Sequence, residues 1–213
     1  MMMLRMGRYC AGCATRSHMR LYAVVVAVGL VGVAGCSSEN TSAPGTPAPS
    51  VAPSAAAPSV PLAAAYHSPE GYSIIPPEGW VQRSTSAQDG VSVFFGAPEV
   101  DRAAPKPFTD NVNVVITASG ENVDRVVSDA KEQYPSVLTN YKVVIDEPAV
   151  ANGHPARLLG GTYDAEGFGS MQNIQLLVVN AGKAYSATFT FPAASFSSYE
   201  AAARASLASF TLG

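Results

Sequence analysis

The segment SMQNIQLLVVNAGKAYSATFTF, residues 170–191, decides the fold. It contains two runs rich in branched and aromatic residues, 170–180 and 183–191, a composition typical of β-strands. Ala181 and Gly182 between these runs predict a tight hairpin turn. Residues 174–179 are apolar on both faces, which is typical of a central strand covered on both sides. The segment therefore predicts an antiparallel hairpin inside a sheet, with other elements packed on it.

Similar patterns elsewhere in the chain extend this sheet. Asn152-Gly153 is a type I′ turn signal and predicts a second hairpin. A short strand stopped by Pro76-Pro77 is predicted within residues 71–80. Further strands are predicted at residues 91–95, 111–119, 141–150 and 154–163.

Two segments change from strand periodicity to helical spacing. Residues 123–134 form the first, with Asn122 predicted to cap the helix and Pro135 to end it. In the last segment, Ser197 and Glu200 form a predicted capping box. The apolar stripe of that helix contains Phe196, Tyr199, Ala203, Leu207 and Phe210. The order β-β-β-α-β-β-β-β-α predicts an α+β fold, a mostly antiparallel sheet with helices packed on it.

A basic and then apolar segment precedes Cys36. Arg16 and Arg20 are followed by an apolar run of about a dozen residues, shorter than the roughly 20 that a membrane-spanning helix needs. The run ends in VAGC at residues 33–36, which matches the bacterial lipobox, and the polar stretch SSEN follows it. We therefore expect residues 1–35 to be a lipoprotein signal peptide and Cys36 to be the lipidated first residue of the mature chain.

Two other interpretations of the N-terminus stay open at this point. An uncleaved membrane helix would have a similar composition. Cys10 and Cys13 form a C-x-x-C pair, but the pair lies upstream of the predicted cleavage point, so we expect no redox role. Translation could start at Met1 or at Met19, because a compact signal begins at Met19.

A segment rich in Pro, Ala and Ser follows the lipobox. Residues 36–65, the lipidated Cys and this segment, cannot bury enough apolar surface to offset chain entropy. We expect a disordered tether, whose composition permits O-glycosylation, and then one globular domain over residues 66–213. After Cys36 there are nine Lys or Arg and sixteen Asp or Glu, which gives a net charge of −7. No window clusters basic residues as phosphate binding requires, so we expect no nucleic-acid partner.

Three segments carry a resemblance to a known family: GYSIIPPEGW (71–80), NGHPARLLGGTY (152–163) and LLVVNAGKAYSATFTFP (176–192). Together with the lipobox and the Ala-rich terminal helix, they resemble the mycobacterial LpqN/LpqT lipoprotein family and, more loosely, the PsbP/Mog1-like fold. The resemblance implies an α/β/α sandwich and a lipid-anchored position on the extracytoplasmic face of the cell membrane, with a released form also compatible. It further implies binding of acylated sugars or partner proteins, with no defining enzymatic activity.

The domain contains no residue pattern typical of catalysis or metal binding. It has no G-x-S-x-G elbow, no H-x-x-x-H pair and no D-x-D-x-D-G loop. His67 and His154 are expected at the domain edge and at a strand start, and the acidic pair Asp146 and Glu147 at a solvated strand end. A Ser-His-Asp set assembled in space stays an alternative. We expect no enzymatic activity, no metal and no cofactor.

Three aromatic residues are candidate ligand-binding residues: Trp80, Phe168 and Phe189. Trp80 is the single tryptophan, and its competing role is to fill the edge of the core. Phe168 lies in the Gly-flanked turn EGFGS, where exposure would suit contact with a lipid or a protein. Phe189 is one of the strand aromatics that could line an apolar groove.

These observations predict a monomeric binding module held on the membrane by the lipid on Cys36. Its ligand is expected to be an envelope glycolipid or acyl lipid, or a protein of lipid transport. The alternative is an interaction module for an envelope or host protein, without a small ligand; a hydrolase is less favoured. A cavity of about 300 Å³ or more would favour the lipid, and a solid core the protein partner.

Overall fold

The computed structural model describes residues 61–85 and 90–213. The strands there are β1 (Tyr66–Ser68), β2 (Tyr72–Ile74), β3 (Val81–Arg83), β4 (Val91–Gly96), β5 (Asn111–Ala118), β6 (Thr139–Ala151), β7 (His154–Ala165), β8 (Gly169–Asn180), β9 (Lys183–Pro192) and β10 (Thr211–Leu212). The helices are α1 (Val123–Val137) and α2 (Phe196–Ala208). The predicted signal peptide, Cys36 and most of the tether lie outside the described residues.

Seven strands form one antiparallel sheet in the order β3-β4-β5-β9-β8-β7-β6, and β1, β2 and β10 form a small second sheet. The predicted α+β class is confirmed. The β8–β9 hairpin lies in the middle of the large sheet, where its two-sided apolar pattern places it. β5 does not pair with β6, the next strand along the chain. After β5, α1 crosses one face of the sheet to the far edge, where β6 begins, and β5 pairs with β9 instead.

The two helices cover opposite faces of the large sheet and define two cores. Ile174, Leu176 and Val178 of β8 lie in the core beneath α2, whereas Leu177 lies in the core beneath α1. Successive residues of a strand point to opposite faces, so a strand buried on both sides can be apolar at consecutive positions, as Leu176, Leu177 and Val178 are. The prediction that residues 174–179 are covered on both faces is confirmed.

Both predicted two-residue turns are present. Asn152 and Gly153 have φ of 47° and 83°, and Ala181 and Gly182 have φ of 47° and 76°. A type I′ turn needs positive φ at both central residues, and this turn matches the twist of the flanking strands. Ala181 adopts this conformation without the help of a glycine or an asparagine, so the pairing of β8 with β9 compensates for local strain.

The start of α1 agrees with the sequence and its end does not. The Asn122 side chain accepts a hydrogen bond from the Arg125 backbone N–H at 2.9 Å, which confirms the predicted cap. Pro135 does not end the helix, which continues to Val137. A proline removes one N–H donor, but in the last turn this loss is small, and the N–H of Leu138 still donates to the carbonyl of Tyr134 at 2.8 Å.

The predicted capping box of α2 is wrong. The helix begins at Phe196, so Ser197 already lies inside the first turn, and Ser195 at the cap position makes no side-chain capping hydrogen bond. The Ser195 hydroxyl instead donates to the carboxylate of Asp101. Glu200 accepts from Nε of Arg204 at 2.8 Å. Ser195 therefore has a partner distant in sequence, Asp101, whereas Glu200 pairs with Arg204 one turn further along α2.

The folded region begins earlier than residue 66. Leu62 forms a bridge with Pro77, and the N–H of Ala63 donates to the carbonyl of Pro76 at 2.9 Å. The predicted boundary between tether and domain is therefore several residues too late. Among the described residues, no helix has the length and apolar character needed to cross a membrane.

β6 forms one edge of the large sheet, and its outer side is interrupted. The two-residue turn after Ala151 makes Ala151 and His154 a hydrogen-bonded pair, so the backbone groups of residues 146, 148 and 150 point outward. Residue 148 is proline and has no N–H to donate, and register shifts occur on either side of Val143. An approaching strand finds few regular donors on such an edge.

Candidate functional site

Trp80 and Phe189, two of the three predicted ligand-binding residues, lie against each other. A turn closed by the N–H of Trp80 and the carbonyl of Pro77, 3.2 Å apart, brings the indole onto the sheet. Gly79 in this turn has φ of 80°, which a glycine adopts without strain. The ring centroids of Trp80 and Phe189 are 5.5 Å apart, on the face covered by α2.

The expected exposure of Phe168 is wrong. Its side chain is only 8% exposed, and its ring meets that of Phe108 edge-to-face, with centroids 5.7 Å apart. It belongs to the core beneath α1, on the other side of the sheet from Trp80. The loop before β5 covers it: an added Cβ on Gly169 would lie 3.2 Å from the ring of Pro105. No local pattern in EGFGS shows that this distant loop folds over it.

Four rings form a continuous cluster, which we call the aromatic patch: Trp80, Phe189, Phe191 and Tyr199. The rings of Phe189 and Phe191 are stacked 5.9 Å apart, and Tyr199 of α2 stacks on Phe191 at 5.3 Å. Trp80 approaches Phe191 at 6.4 Å. Phe189 and Phe191 are fully buried, whereas Trp80 and Tyr199 are partly exposed. Trp80 and Tyr199 therefore both contact a buried ring and are themselves partly exposed.

Carboxyl groups surround the Tyr199 side of the aromatic patch. Burial raises the pKa of the Tyr199 hydroxyl, and the charges of Asp110, Asp101 and Glu99 raise it further. Asp101 is held in place by the hydroxyl of Ser195 and by the backbone N–H of Ala103, which donates to Oδ1 at 2.7 Å. The patch is therefore apolar in its centre and negatively charged along one side.

Asp110 is the unusual member of this acidic group. Its side chain is 2% exposed, and its Oδ1 has no hydrogen-bond partner in the described structure. Burial raises the pKa of Asp110 to about 8, with a further contribution from the charge of Asp101. A carboxyl group in such surroundings holds its proton near neutral pH, because the charged form would lose its hydration without a cation to replace it.

Sequence reasoning missed the acidic side of the patch. Tyr199 is recognisable only as one position of an apolar helix stripe, and Asp110 only as a polar residue before a strand. Neither Asp101 nor Ser195 belongs to a local motif that joins them across 94 positions of sequence. The sequence signal for this region was Trp80 itself, the single tryptophan, which the turn at Pro77 and Gly79 brings onto the sheet.

The acidic pair Asp146 and Glu147 does not form a site. Asp146 accepts from Lys131 of α1 and from Nε of Arg157, whereas Glu147 accepts from Arg204 of α2 at 2.9 Å. Adjacent strand residues face opposite sides, so each carboxylate ties a different helix to β6. In residues 61–85 and 90–213, no three His, Cys, Asp or Glu side chains are placed to hold a metal ion.

A small cavity lies beneath α1. It is lined by residues of α1, β5, β8 and β9, among them Val126, Tyr134 and Ser186, and has a volume of about 20 Å³. A space of this size accepts one water molecule, whereas a bound lipid needs a pocket of about 300 Å³ or more. The cavity is therefore far too small for an acyl chain.

Comparisons with known proteins identify the fold. No protein-family model and no curated protein matches the chain. Among solved structures, the cyanobacterial PsbP of Synechocystis sp. PCC 6803 is 15% identical with a TM-score of 0.53, covering 76% of this chain and 99% of that one. LpqN of Mycobacterium tuberculosis, described as involved in cell envelope biogenesis, is 14% identical with a TM-score of 0.53, covering 66% and 82%. The chain thus has a PsbP/LpqN-like α+β fold.

Proposed function

We propose that this protein is a non-catalytic binding module of a bacterial cell envelope that recognises a protein partner at the aromatic patch. The observation that carries the proposal is that Trp80 and Tyr199 are partly exposed and both contact the buried ring of Phe191. Large rings with a polar tip are enriched at protein interfaces, because they bury much apolar area and lose little conformational entropy.

The packing of the sheet supports a protein ligand over an acyl lipid. Beneath α2, the space between sheet and helix is filled by Phe189, Phe191, Phe196 and Leu207, each no more than 6% exposed. Beneath α1, the cavity has room for one water molecule. An acyl chain would have to displace side chains on either face, whereas a protein surface can bind Trp80 and Tyr199 where they already meet solvent.

The location at the envelope is part of the same proposal. The lipobox ending in Cys36, the basic and apolar segment before it and the polar segment after it support a lipid anchor of the LpqN/LpqT type. Two acyl chains on one cysteine would give stable anchoring. Replacing Cys36 by serine should release the protein from the membrane fraction, and an unchanged distribution would contradict the anchor.

Site-specific photo-crosslinking tests the protein partner. A benzophenone amino acid replaces Tyr199 in cells with their native envelope, and the matched control places it at Val150, which is 67% exposed on β6. We expect a discrete protein adduct from position 199 and none of the same mass from position 150. Identical adducts from both positions, a lipid-sized adduct at 199, or no adduct at all would overturn the proposal.

A further inference from the structure

The electrostatics of the aromatic patch point to the chemistry of its partner. The charges that raise the pKa of Tyr199 come from three carboxyl groups, Asp110, Asp101 and Glu99, and no basic group contributes to that shift. Asp101 is bound to the hydroxyl of Ser195, one turn before Tyr199, so a carboxylate lies beside the aromatic patch. An aromatic face next to carboxylates attracts cations, since the ring quadrupole and the carboxylate charge act in the same direction.

Asp110 adds an observation that is independent of the surface charges. It is buried, yet its Oδ1 lacks a hydrogen-bond partner. Fully buried polar atoms without a partner are rare in proteins, because each one forfeits its hydration. Asp110 is close enough to Tyr199 and to Asp101 for its charge to act on both, so a cation over Tyr199 would act on Asp110 in turn.

We propose that the aromatic patch binds a lysine or arginine side chain of the partner, and that Asp110 releases its proton to solvent when this cation binds. The proposal rests on the proposed function and specifies the partner residue. The cation lies against the ring of Tyr199, with Asp101 and Glu99 as counter-charges. Asp110 becomes the third counter-charge, because the incoming positive charge stabilises its ionised form.

The charged groups around Asp110 link the binding of the cation to the loss of the Asp110 proton. Asp101 and Glu99 lie on the loop after β4, and Tyr199 lies on α2. Arg102 and Lys106 are exposed on the same loop, and neither contributes to the raised pKa of Asp110. With the pKa of free Asp110 at about 8, a cation that stabilises its ionised form favours proton release below that pH. Affinity therefore rises with pH up to about 8 and levels off above it.

Two tripeptides that differ in one charge test the cation. Acetyl-Gly-Arg-Gly-amide and its citrulline analogue, the neutral isostere, are titrated into the full chain, with Trp80 fluorescence as the signal. We expect the arginine peptide to bind at least about tenfold more tightly. Asp101→Asn should weaken arginine binding about threefold or more, whereas Glu121→Gln, which removes an exposed carboxylate before α1, should leave it unchanged. Equal binding of both peptides, or no binding, overturns the proposal.

Calorimetry in two buffers of different ionisation enthalpy measures the proton. Near pH 7 we expect proton release on arginine binding to the parent chain and none to Asp110→Asn, whose affinity should also lose its pH dependence. Release that persists in Asp110→Asn, or a flat pH profile in the parent chain, overturns the role of Asp110. If photo-crosslinking at position 199 captures a protein while arginine peptides fail to bind, the proposed function stands and the cation site falls.

Discussion

Replacing Gly161 of β7 by alanine should destabilise the domain by about 2–4 kcal/mol. The added Cβ would lie 2.4 Å from ring atoms of Tyr141, whereas ordinary contact begins at 3.4 Å. The Tyr141 ring is buried and meets Tyr134 edge-to-face, with centroids 5.3 Å apart. Overpacking of a core costs about 1–3 kcal/mol, and a displaced ring loses a further aromatic contact of about 0.5–1.5 kcal/mol.

Two other glycines provide the comparison. Gly120→Ala adds a Cβ with no atom within 4 Å, so its effect should stay within about 0.5 kcal/mol. Gly160→Ala adds a Cβ 2.6 Å from the backbone carbonyl oxygen of Asn173. A strand backbone cannot rotate out of the way as a side chain can, so we expect a loss at least as large as for Gly161→Ala.

Urea unfolding followed by the fluorescence of Trp80, the single tryptophan, measures these free energies. Tyr141→Leu removes the ring that the new methyl group meets. In the Tyr141→Leu background, Gly161→Ala should therefore cost at least about 1 kcal/mol less than in the parent chain, whereas the cost of Gly160→Ala should not change. The reasoning is refuted if Gly161→Ala is as stable as Gly120→Ala. It is also refuted if Tyr141→Leu couples equally to both glycines.

Three further predictions follow from particular contacts. The pKa of Asp110 is raised from 3.8 to about 8, so between these pH values the folded state holds a proton that the unfolded state has lost. The free energy of unfolding, measured with urea, should therefore fall as pH rises from about 4 to about 8, and it should show no such fall in Asp110→Asn. Pro148→Val restores an outward N–H on the edge strand and should promote self-association, which unchanged sedimentation would contradict. Asn122→Ala removes the cap of α1 and should cost about 1 kcal/mol, unlike Ser128→Ala in the exposed middle of that helix.

Elements with a local cause were predictable from the sequence. Asn152-Gly153 makes a tight turn because these residues tolerate positive φ, and the runs on either side then pair in the only register that the turn allows. Asn122 caps α1 because its acceptor and donor are three residues apart. The errors in the helices lie at their ends: Pro135 is tolerated in the last turn of α1, and α2 begins at Phe196, before Ser197.

The candidate site shows the same division. Trp80 could be singled out because it is rare and follows a turn, but its neighbours Tyr199, Asp101 and Asp110 come from three separate parts of the chain. Phe168 looks exposed in its Gly-flanked turn and is buried by the loop that contains Pro105. Burial depends on what covers a residue, and nothing within a few positions of Phe168 or Asp110 carries that information.

The sequence by itself determined the α+β class, the central hairpin and the positions of the two hairpin turns, because periodicity and turn conformation act over a few residues. It also supports a lipid anchor at Cys36, which lies outside the described residues. Only the tertiary structure decided that Trp80 and Phe189 meet while Phe168 lies on the far side of the sheet. The tertiary structure alone also showed that a buried carboxyl group lies beside the aromatic patch. Long-range packing sets the burial and the electrostatic surroundings of a side chain, and these decide whether it can bind a partner or hold a proton.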